Sequence, residues 1–513
     1  MVHEQEMIII LDFGAQYTHL IARRIRAAHF YCEILPYNTG LSVIKEKNPK
    51  GIVLSGGPAS VLEEGAPRCE LGIFELGVPI LGICYGMQLM AQMLGGKVIV
   101  PDNREYGKVS VSIDDKSSLL LGLDDEIQAW MSHTLQVSCA PEGFRPLAHT
   151  EHCDWAAFSC EEKQLYGLQF HPEVTHTEGG ENIICNFLTN ICRCKGNWHM
   201  SSFVNQAVKE IQSQVGDGEV LLGLSGGVDS SVTAALLHRA IGDKLTAVFV
   251  DHGLMRKNEP NEVEAVFRPI MGEKLKMVDA SNYFLSKLAG VTEPEQKRKI
   301  IGAEFISVFA DAARSLGRLD YLAQGTIYPD IVESCSATGT VIKSHHNVGG
   351  MPDDLPFIGV VEPLRPLFKD EVRTLGEELG LPKSMVWRQP FPGPGLAVRV
   401  VGEITREKLE IARESDSVFR EEMKKAGLDE VASQYFTVLT GLRSVGVMGD
   451  ERSYDYTLAL RAISTDDFMT ADWVRIPYEV LDIVARRIVN EVRNVNRVVY
   501  DITTKPPASV EWE

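Results

Sequence analysis

Residues 220–231, VLLGLSGGVDSS, place a short apolar run directly before a turn rich in glycine and hydroxyl groups. Residues 79–86, PILGICYG, repeat this arrangement with a cysteine in the turn. Short apolar runs that alternate with longer helical patterns are typical of parallel sheets covered by helices. In open α/β sheets, functional groups lie where strands meet such loops. The sequence therefore predicts an α/β protein with candidate sites at both turns.

The composition is that of an ordinary globular protein. The chain has 513 residues, of which 44% are hydrophobic and 24% are charged, and a prior of roughly 150 residues per domain suggests about three domains. The formal net charge of -19 disfavours nucleic-acid binding. Apolar windows are too short for a membrane span, the first residues lack a signal-peptide pattern, and the ten cysteines are sparse. We therefore expect a cytoplasmic protein with reduced thiols and no contact with membranes.

Two irregular stretches divide the chain. Residues 192–198 are polar and resemble a linker, and residues 388–395 contain three prolines and two glycines, a density that forbids regular structure. We predict domains at residues 1–197, 198–389 and 390–513. Apolar residues at helical spacing predict three amphipathic helices. Their apolar residues are Val204, Val208, Ile211 and Val215 in the first helix, Phe368, Val372, Leu375 and Leu379 in the second, and Leu481, Val484, Ile488 and Val492 in the third.

The cysteine of the first turn has the features of a nucleophile. Cys84 stands between a strand of buried type and a helical pattern, so a tight turn would expose its sulfur at a helix N-terminus that favours thiolate. Downstream, His171 and Glu173 are two residues apart. In a strand, side chains at this spacing share one face, and the carboxylate could orient the imidazole that activates the thiol.

Attack of a thiolate on an amide carbonyl produces an oxyanion that needs hydrogen-bond donors. The glycine pair that ends at Gly57 allows close approach of the backbone, and the Tyr85 N–H is next to the nucleophile; the loss of one such donor typically costs about 3 kcal/mol. A lone cysteine after an apolar strand is usually inert, as is a lone histidine, but together with both glycine turns they favour catalysis. The cysteines without zinc-ligand spacing are expected to be ordinary thiols, among them Cys185, Cys192 and Cys194.

The second turn has the features of a phosphate cradle. Its two glycines leave backbone N–H groups exposed, and its three hydroxyls add further hydrogen-bond donors for a phosphate. The dipole of the following helix also favours an anion. The turn lacks the Gly-Lys-Ser/Thr ending of a Walker loop, which disfavours chemistry on a γ-phosphate. Asp229 is predicted to hold Mg²⁺ against phosphate oxygens. The predicted ATP-binding residues are Ser225, Gly226, Gly227, Val228, Asp229, Ser230 and Ser231.

The GICYG turn and the later HPE stretch resemble the class I glutamine amidotransferases, which hydrolyse glutamine through a thioester and release ammonia. The resemblance implies that Cys84 is the nucleophile, that His171 is its base and acid, and that Glu173 orients the imidazole. It also implies that Gly57 and Tyr85 form the oxyanion hole.

The SGGVDSS loop resembles that of the N-type ATP pyrophosphatases, which split ATP between the α and β phosphates and transfer adenylate to a carbonyl oxygen. Joined to a glutaminase on one chain, it is similar to the GMP synthase (glutamine-hydrolysing) family. This resemblance implies an α/β fold with three parts: a class I glutaminase domain with a mixed sheet, an ATP pyrophosphatase domain with a doubly wound parallel sheet, and an α+β dimerisation domain at the C-terminal end. Its further motifs are residues 250–253, 324–330, 342–347, 390–395 and 505–513.

The resemblance also implies a reaction. A ligase of this family converts xanthosine monophosphate (XMP), ATP and glutamine into GMP, AMP, pyrophosphate and glutamate, with Mg²⁺ accompanying ATP, and forms a homodimer through the C-terminal domain. Asp330 and Glu333 are expected near the adenylation centre. The tail, residues 505–513, is expected to be disordered and to close over XMP as a lid. The XMP contacts implied by the resemblance are Arg298, Gln434, Lys505, Val510 and Glu511.

Two other functions remain open from the sequence. The first is a glutamine-dependent synthetase that adenylates another acceptor, such as the deamido dinucleotide of NAD synthesis, although that class normally uses a nitrilase-like glutaminase. The second is a nucleotide sensor that binds without turnover. The combination of Cys84, His171, Glu173 and Asp229 argues against a sensor, because a binding module needs no nucleophile.

Overall fold

The computed structural model describes residues 6–15, 17–335, 357–448, 451–465 and 470–513, and the chain divides into two compact units, Met1–Ser202 and Phe203–Glu513. The strands of the first unit are β1 (Met7–Asp12), β2 (Tyr31–Pro36), β3 (Gly51–Leu54), β4 (Ile80–Ile83), β5 (Lys97–Ile99), β6 (Glu105–Ile113), β7 (Glu126–His133), β8 (Gln136–Cys139), β9 (Arg145–His149), β10 (Ala157–Cys160) and β11 (Leu165–Leu168). Its helices are α1 (Thr18–Ala27), α2 (Leu41–Glu46), α3 (Tyr85–Met93) and α4 (Gly180–Asn186).

The chain continues through α5 (Met200–Val215) into the second unit. The strands there are β12 (Val220–Gly223), β13 (Leu245–Asp251), β14 (Leu275–Asp279), β15 (Tyr321–Ala323), β16 (Gly359–Val361), β17 (Gln434–Met448), β18 (Glu451–Ser464), β19 (Asp472–Trp473) and β20 (Val495–Asp501). The helices are α6 (Val228–Ile241), α7 (Glu259–Met271), α8 (Ser281–Lys287), α9 (Pro294–Arg314), α10 (Tyr328–Cys335), α11 (Lys369–Glu378), α12 (Lys383–Val386), α13 (Arg406–Lys425) and α14 (Tyr478–Glu491).

The first unit is built on a mixed sheet. Over the described residues its strand order is β2-β1-β3-β4-β11-β10-β9-β6-β7. The strands from β2 to β11 pair in parallel, and those from β11 to β7 pair antiparallel. The central strands β3, β4 and β11 are buried throughout, as expected of parallel strands covered on both faces. The mixed sheet of a glutaminase fold is confirmed.

The second unit begins with a parallel sheet of strand order β14-β13-β12-β15-β16. The chain first builds outward from β12 through β13 to β14 and then returns to the other side of β12 for β15. The carboxyl ends of β12 and β15 therefore flank the point where the strand order reverses, which is where ligands bind in such sheets. The predicted parallel sheet is confirmed, and the SGGVDSS loop follows β12 at this point.

The last part of the second unit combines helices with a long hairpin. Strands β17 and β18 pair antiparallel, and β20 pairs in parallel with β18. The buried apolar residues of α13 and α14, such as Phe419 and Ile488, belong to the same hydrophobic core as Leu458 of β18. This arrangement confirms the α+β character expected for the C-terminal part.

The amphipathic helices predicted from apolar spacing form as α5, α11 and α14. The stretch expected as a linker, residues 192–198, is irregular as predicted, although some of its side chains pack within the first unit, and its role as a linker stays a prediction. Cys192, Cys194 and Trp198 are buried, and the Arg26 guanidinium lies 4.7 Å from the Trp198 ring centroid. In the part of the chain that the structure describes, no helix has the length and apolar character needed to cross a membrane. The two predicted domain boundaries, after residues 197 and 389, stay predictions.

Candidate functional site

Cys84 occupies a strained turn between β4 and α3. Its φ of 49° and ψ of -103° lie in a region that residues with side chains rarely adopt. The flanking glycines make this turn possible. A Cβ on Gly82 would lie 2.7 Å from the Gly86 backbone, and a Cβ on Gly86 would lie 2.4 Å from the Leu54 carbonyl oxygen. The sequence GICYG therefore fixes a tight turn that holds Cys84 at the first turn of a helix, as nucleophile elbows do.

The His171 side chain reaches the same edge of the sheet from the neighbouring strand. Strand β11 pairs in parallel with β4, with Leu168 opposite Ile83, so both chains leave the sheet side by side. His171 Nδ1 lies 2.7 Å from Glu173 Oε1, and both side chains are buried. His171 and Glu173 lie in a turn after β11, so the expectation that they share one face of a strand was wrong. The turn brings them together because the intervening proline cannot continue a strand ladder.

The electrostatics of this group favour a charged imidazole. Burial alone would lower the pKa of His171, but the Glu173 carboxylate and a hydrogen bond with Cys84 outweigh it, and the pKa is raised well above its ordinary value. A positively charged imidazole beside the sulfur stabilises a thiolate. The three side chains that the sequence predicts as nucleophile, base and orienting carboxylate are therefore in contact.

Backbone contacts hold the histidine turn in place. The His171 N–H donates to the Trp130 carbonyl oxygen at 3.1 Å, and Thr177 Oγ1 donates to the His171 carbonyl oxygen at 2.6 Å. Arg24 Nε donates to the Glu173 carbonyl oxygen at 3.2 Å. The position of the imidazole is thus set by groups from β7 and α1, which no sequence pattern near His171 indicates.

The two residues expected to form the oxyanion hole lie beside the nucleophile. Tyr85 is the first residue of α3, and within the described residues its N–H donates to no protein acceptor, as expected for the first turn of a helix. Gly57 is held close to the first-unit core, since a Cβ there would lie 2.9 Å from the Phe13 carbonyl oxygen and 3.3 Å from the Tyr85 ring. The Gly57 backbone thus lies close to Tyr85, the residue after Cys84, and the oxyanion-hole role of both residues stays a prediction.

The other cysteines in question have the properties of ordinary thiols. Burial raises the pKa of Cys185, Cys192 and Cys194, to about 11 at Cys194. A raised pKa keeps a thiol protonated and unreactive at neutral pH. In the described part of the chain, no group of three or more His, Cys, Asp or Glu side chains is arranged to hold a metal ion.

The phosphate loop is organised by its own hydroxyls. Ser230 Oγ donates to the Gly227 carbonyl oxygen at 3.1 Å and lies 3.0 Å from Ser225 Oγ. Gly226 has a φ of +75°, which favours glycine. Val228 begins α6, so the loop ends at a helix N-terminus. The Ser231 side chain is fully buried, and its hydroxyl has no partner among the described residues, so its role as a donor stays a prediction.

Asp229 extends from the first turn of α6 toward a lysine that the sequence analysis did not identify. Lys369 Nζ donates to both carboxylate oxygens of Asp229 at 2.7 Å. Mg²⁺ in nucleotide sites takes one or two carboxylates together with phosphate oxygens and water, so the single carboxylate fits a magnesium–ATP complex. Lys369 would also place a positive charge beside a bound phosphate.

Arg388 is a second functional candidate that sequence reasoning missed. Its guanidinium donates to the Gly226 carbonyl oxygen of the loop and pairs with Glu259 of α7. Lys369 and Arg388 lie more than 130 residues beyond the loop that they contact. No local motif marks either residue, so only the fold brings them to the phosphate loop.

The end of β15 approaches the same loop. A Cβ on Gly325 would lie 3.2 Å from the Asp229 backbone carbon, which explains the glycine in this motif. Asp330 Oδ2 accepts the Ile327 N–H at 3.1 Å at the start of α10. Glu333 lies on the same helix, and its side chain is outside the described part of the structure. The motif at residues 342–347 also lies outside the described residues.

The tail residues gather several of the predicted XMP contacts. Gln434 Nε2 donates to Glu511 Oε1 at 3.0 Å, and Arg399 donates to both Glu511 carboxylate oxygens at 3.0 and 3.2 Å. Arg298 donates to the carbonyl oxygen of Glu513. Arg298 of α9 and Gln434 at the start of β17 are therefore joined to the tail, which contains Glu511.

The tail is ordered in this structure, so the expectation of disorder was wrong. The Lys505 backbone pairs with Ala471, with N–O distances of 2.8 and 3.0 Å. Val510 packs against the cluster that contains Phe436. The fully buried Lys297 ammonium pairs with the Glu513 carboxylate. Composition alone could not indicate these contacts, because they depend on where β17 and α9 lie in the fold.

Comparisons with known proteins agree with this division of the chain. The glutamine amidotransferase class-I family matches residues 9–191, the NAD synthase family matches residues 199–300, and the GMP synthase C terminal domain family matches residues 421–512. The fold and the two sites thus define a class of enzyme in which a glutamine amidotransferase is joined on one chain to an ATP-using synthetase.

Full-length relatives identify the family within this class. The chain is 60% identical to the GMP synthase (glutamine-hydrolyzing) of Acetivibrio thermocellus over 99% of both chains, and 60% identical to that of Clostridium novyi over 100% of both. It is 59% identical to the corresponding protein of Ruminiclostridium cellulolyticum, again over 99% of both chains. The chain belongs to the GMP synthase (glutamine-hydrolyzing) family.

Proposed function

We propose that this protein catalyses the glutamine-dependent amination of XMP to GMP, with ATP converted to AMP and pyrophosphate. The observation that carries the proposal is that His171 interacts with both Cys84 and Glu173 at one sheet edge, on a chain that also contains the SGGVDSS loop at a strand-order reversal. The first group can release ammonia from an amide, and the second can bind a nucleotide phosphate. A synthetase that uses glutamine needs both.

In the glutaminase reaction, Cys84 gives its proton to His171, and the thiolate attacks the carboxamide carbon of glutamine. The carbonyl oxygen becomes an oxyanion, for which the Gly57 and Tyr85 N–H groups are the donors. The C–N bond then breaks, and His171 returns the proton to the departing ammonia. Water hydrolyses the resulting thioester to glutamate, with His171 as the base that activates it. Glu173 stabilises the imidazolium throughout.

In the synthetase reaction, the C2 oxygen of XMP attacks the α-phosphorus of ATP, and pyrophosphate leaves. Residues 225–231 hold the phosphates, with Lys369 and Arg388 adding positive charge beside the loop. Asp330 and Glu333 are assigned to the adenylation centre. Ammonia then attacks C2, and AMP leaves with the former C2 oxygen. This order is required because the C2 oxygen of xanthine is a poor leaving group until it carries adenylate.

We propose that Mg²⁺ accompanies ATP and that Asp229 is its ligand from this chain. The ion would neutralise charge on the phosphates when bound. Lys369 would then turn from Asp229 toward the phosphate oxygens, because both groups of the pair are partly exposed and can exchange partners.

We assign XMP binding to Arg298, Gln434, Lys505, Val510 and Glu511. The support is that Gln434 donates to Glu511 of the tail, and that Arg298 donates to Glu513 of the same tail. A nucleotide phosphate or a purine edge offers similar acceptor oxygens, so it could replace the tail oxygens in these two hydrogen bonds.

We also propose a homodimer formed through the hairpin of β17 and β18. Val445 and Val447 lie on one face of this hairpin, Tyr454 lies opposite Val445, and all three side chains are more than half exposed. Exposed apolar residues grouped on one sheet face are typical of interfaces. The cytoplasmic location stays a prediction from the sequence.

The test is a product assay on the purified protein. With XMP, ATP, Mg²⁺ and glutamine, we expect GMP, AMP, pyrophosphate and glutamate in equal amounts. The NAD synthase family match makes the deamido dinucleotide the sharpest alternative acceptor, and we expect no pyrophosphate release when it replaces XMP. Pyrophosphate release with the dinucleotide and none with XMP would contradict the proposal.

A further inference from the structure

Gln169 is a fully buried residue whose side chain contacts the sulfur of Cys84. It follows β11, two residues before His171, and its exposure is 0%. Its backbone N–H donates to the Ala156 carbonyl oxygen at 2.8 Å, and its Nε2 lies 3.8 Å from Cys84 Sγ, within the range of a hydrogen bond to sulfur. The proposed mechanism above gives this contact no role.

The direction of the Gln169 carboxamide is set by a chain of hydrogen bonds. The Leu135 carbonyl oxygen can only accept, so the Gln88 group 2.7 Å from it must be the amide nitrogen. The same Gln88 nitrogen lies 3.3 Å from Gln169 Oε1 and donates a hydrogen bond to it. If the Gln169 carboxamide were reversed, two NH₂ groups would face each other and an oxygen would face the sulfur. Gln169 therefore presents N–H to Cys84.

The opposite neighbour of the sulfur is an acceptor. The Ser132 carbonyl oxygen lies 3.8 Å from Cys84 Sγ and can accept the thiol proton, whereas it offers nothing to a thiolate. A hydrogen bond to a charged group is roughly twice as strong as one between neutral groups. The Gln169 N–H therefore favours the thiolate, and the Ser132 oxygen favours the thiol. The ionisable groups nearby are His171 with Glu173 and, next to Ser132 on β7, His133 paired with Glu105.

We propose that Gln169 is a thiolate-stabilising residue of the glutaminase site, and that Gln88 is the positioning residue that fixes the direction of its carboxamide. The inference rests on the proposed role of Cys84 as nucleophile. When Cys84 gives its proton to His171, the Gln169 N–H keeps its own proton and donates a hydrogen bond to the negative sulfur. The carboxamide thereby also holds the sulfur in one rotamer for attack on the substrate.

The test is the pH dependence of Cys84 alkylation by iodoacetamide, followed by mass spectrometry of the peptide that contains Cys84. Gln169→Met retains the side-chain length and removes the donor. We expect the pH of half-maximal alkylation to rise by about one unit and the rate at neutral pH to fall several-fold. Gln169→Glu places a carboxylate beside the sulfur, and we expect a larger rise. Gln88→Met should give a smaller rise in the same direction.

Two controls make the result decisive. Gln136→Met alters another glutamine of the first unit, which bonds the His152 carbonyl oxygen, and should leave the profile unchanged. Thermal unfolding followed by circular dichroism reports whether the first unit of each variant is folded, and if Gln169→Met does not fold, Gln169→Glu and Gln88→Met decide by the same profile. Unchanged profiles in the folded variants would overturn the inference. If Cys84→Ala retained glutaminase activity, the proposed function itself would fail, which is a distinct outcome.

Discussion

At the scale of single residues, one buried carboxylate raises the pKa of His171 in the proposed glutaminase site. The Glu173 side chain is 1% exposed, and Glu173 Oε1 contacts His171 Nδ1. Among the described residues, Glu173 Oε2 has no hydrogen-bond partner. The carboxylate therefore acts mainly on His171, where it raises the pKa against the effect of burial. Its removal should leave the imidazole buried without a compensating charge.

Glu173→Gln is expected to lower the pKa of His171, because burial then acts with less opposition. His171 must be protonated to give its proton to the departing ammonia, and this form is lost as the pH rises through the pKa. The basic limb of the glutaminase pH profile should therefore move to lower pH, and kcat should fall by about 100-fold. GMP synthesis from ammonium salt should not change. A pH profile identical to that of the unaltered protein would contradict this role.

The carboxylate of Asp229 is expected to be as important to the phosphate loop as that of Glu173 is to the glutaminase site. Asp229→Asn removes the charge that pairs with Lys369 and the proposed magnesium ligand. We expect synthesis from ammonium salt to fall by at least about 100-fold while glutaminase activity remains measurable. The matched control is Asp217→Asn, which alters an exposed aspartate that also pairs with a lysine, Lys244, and it should leave both activities unchanged. Normal synthesis by Asp229→Asn would exclude a metal-binding role.

At the scale of elements, the sequence predicted what is local. The apolar runs, the glycine turns and the helix stripes each depend on residues a few positions apart, and the structure has a strand, turn or helix at each. The HPE stretch showed the limit of this reasoning, since its residues meet in a turn rather than on a strand. Lys369 and Arg388 could not be identified, because only strand order brings them to residues 225–231. The burial of the Ser231 side chain was not indicated by the loop pattern either.

The tail is the element whose behaviour the sequence predicted least well. The tail was expected to be disordered, but in the structure Glu511 contacts Arg399 and Gln434. If XMP binds at the proposed residues, its polar groups must replace these contacts of the tail.

Limited proteolysis tests this behaviour of the tail. Glu511→Ala removes the hydrogen bonds to Arg399 and Gln434, so we expect faster cleavage within residues 505–513 and an increase in KM for XMP of about tenfold. XMP should slow tail cleavage in the unaltered protein. Glutaminase activity without nucleotides should be unaffected. Cleavage that is equal with and without XMP, together with an unchanged KM, would contradict both the seated tail and its assignment to XMP.

At the scale of the whole molecule, the exposed hairpin face predicts self-association. Val447→Lys places a charge on the most exposed of its apolar residues, at 75% exposure, and desolvation of that charge should weaken an interface. Sedimentation velocity should then give a mass near one chain where the unaltered protein gives two. Val100→Lys, at another exposed valine, is the control and should remain dimeric. A monomeric unaltered protein would exclude the proposed dimer.

The central claim is that one chain contains two separate reactions, which ammonia connects. The Cys84 group lies in the first unit, and residues 225–231 lie in the second. Each unit contains a sheet that positions its own proposed catalytic groups, so damage to one site should leave the other chemically competent. The mixed sheet positions the Cys84 group and no residue of the phosphate loop, and the parallel sheet positions the phosphate loop and no residue of the Cys84 group.

The most direct measurement compares two nitrogen sources in Cys84→Ala. GMP formation from XMP and ATP is measured once with glutamine and once with ammonium salt. We expect synthesis from glutamine to disappear and synthesis from ammonium salt to stay within about twofold of the unaltered protein, because the alanine removes the nucleophile and little else. Loss of both activities in a folded protein, or retention of synthesis from glutamine, would contradict the division of labour between the two sites.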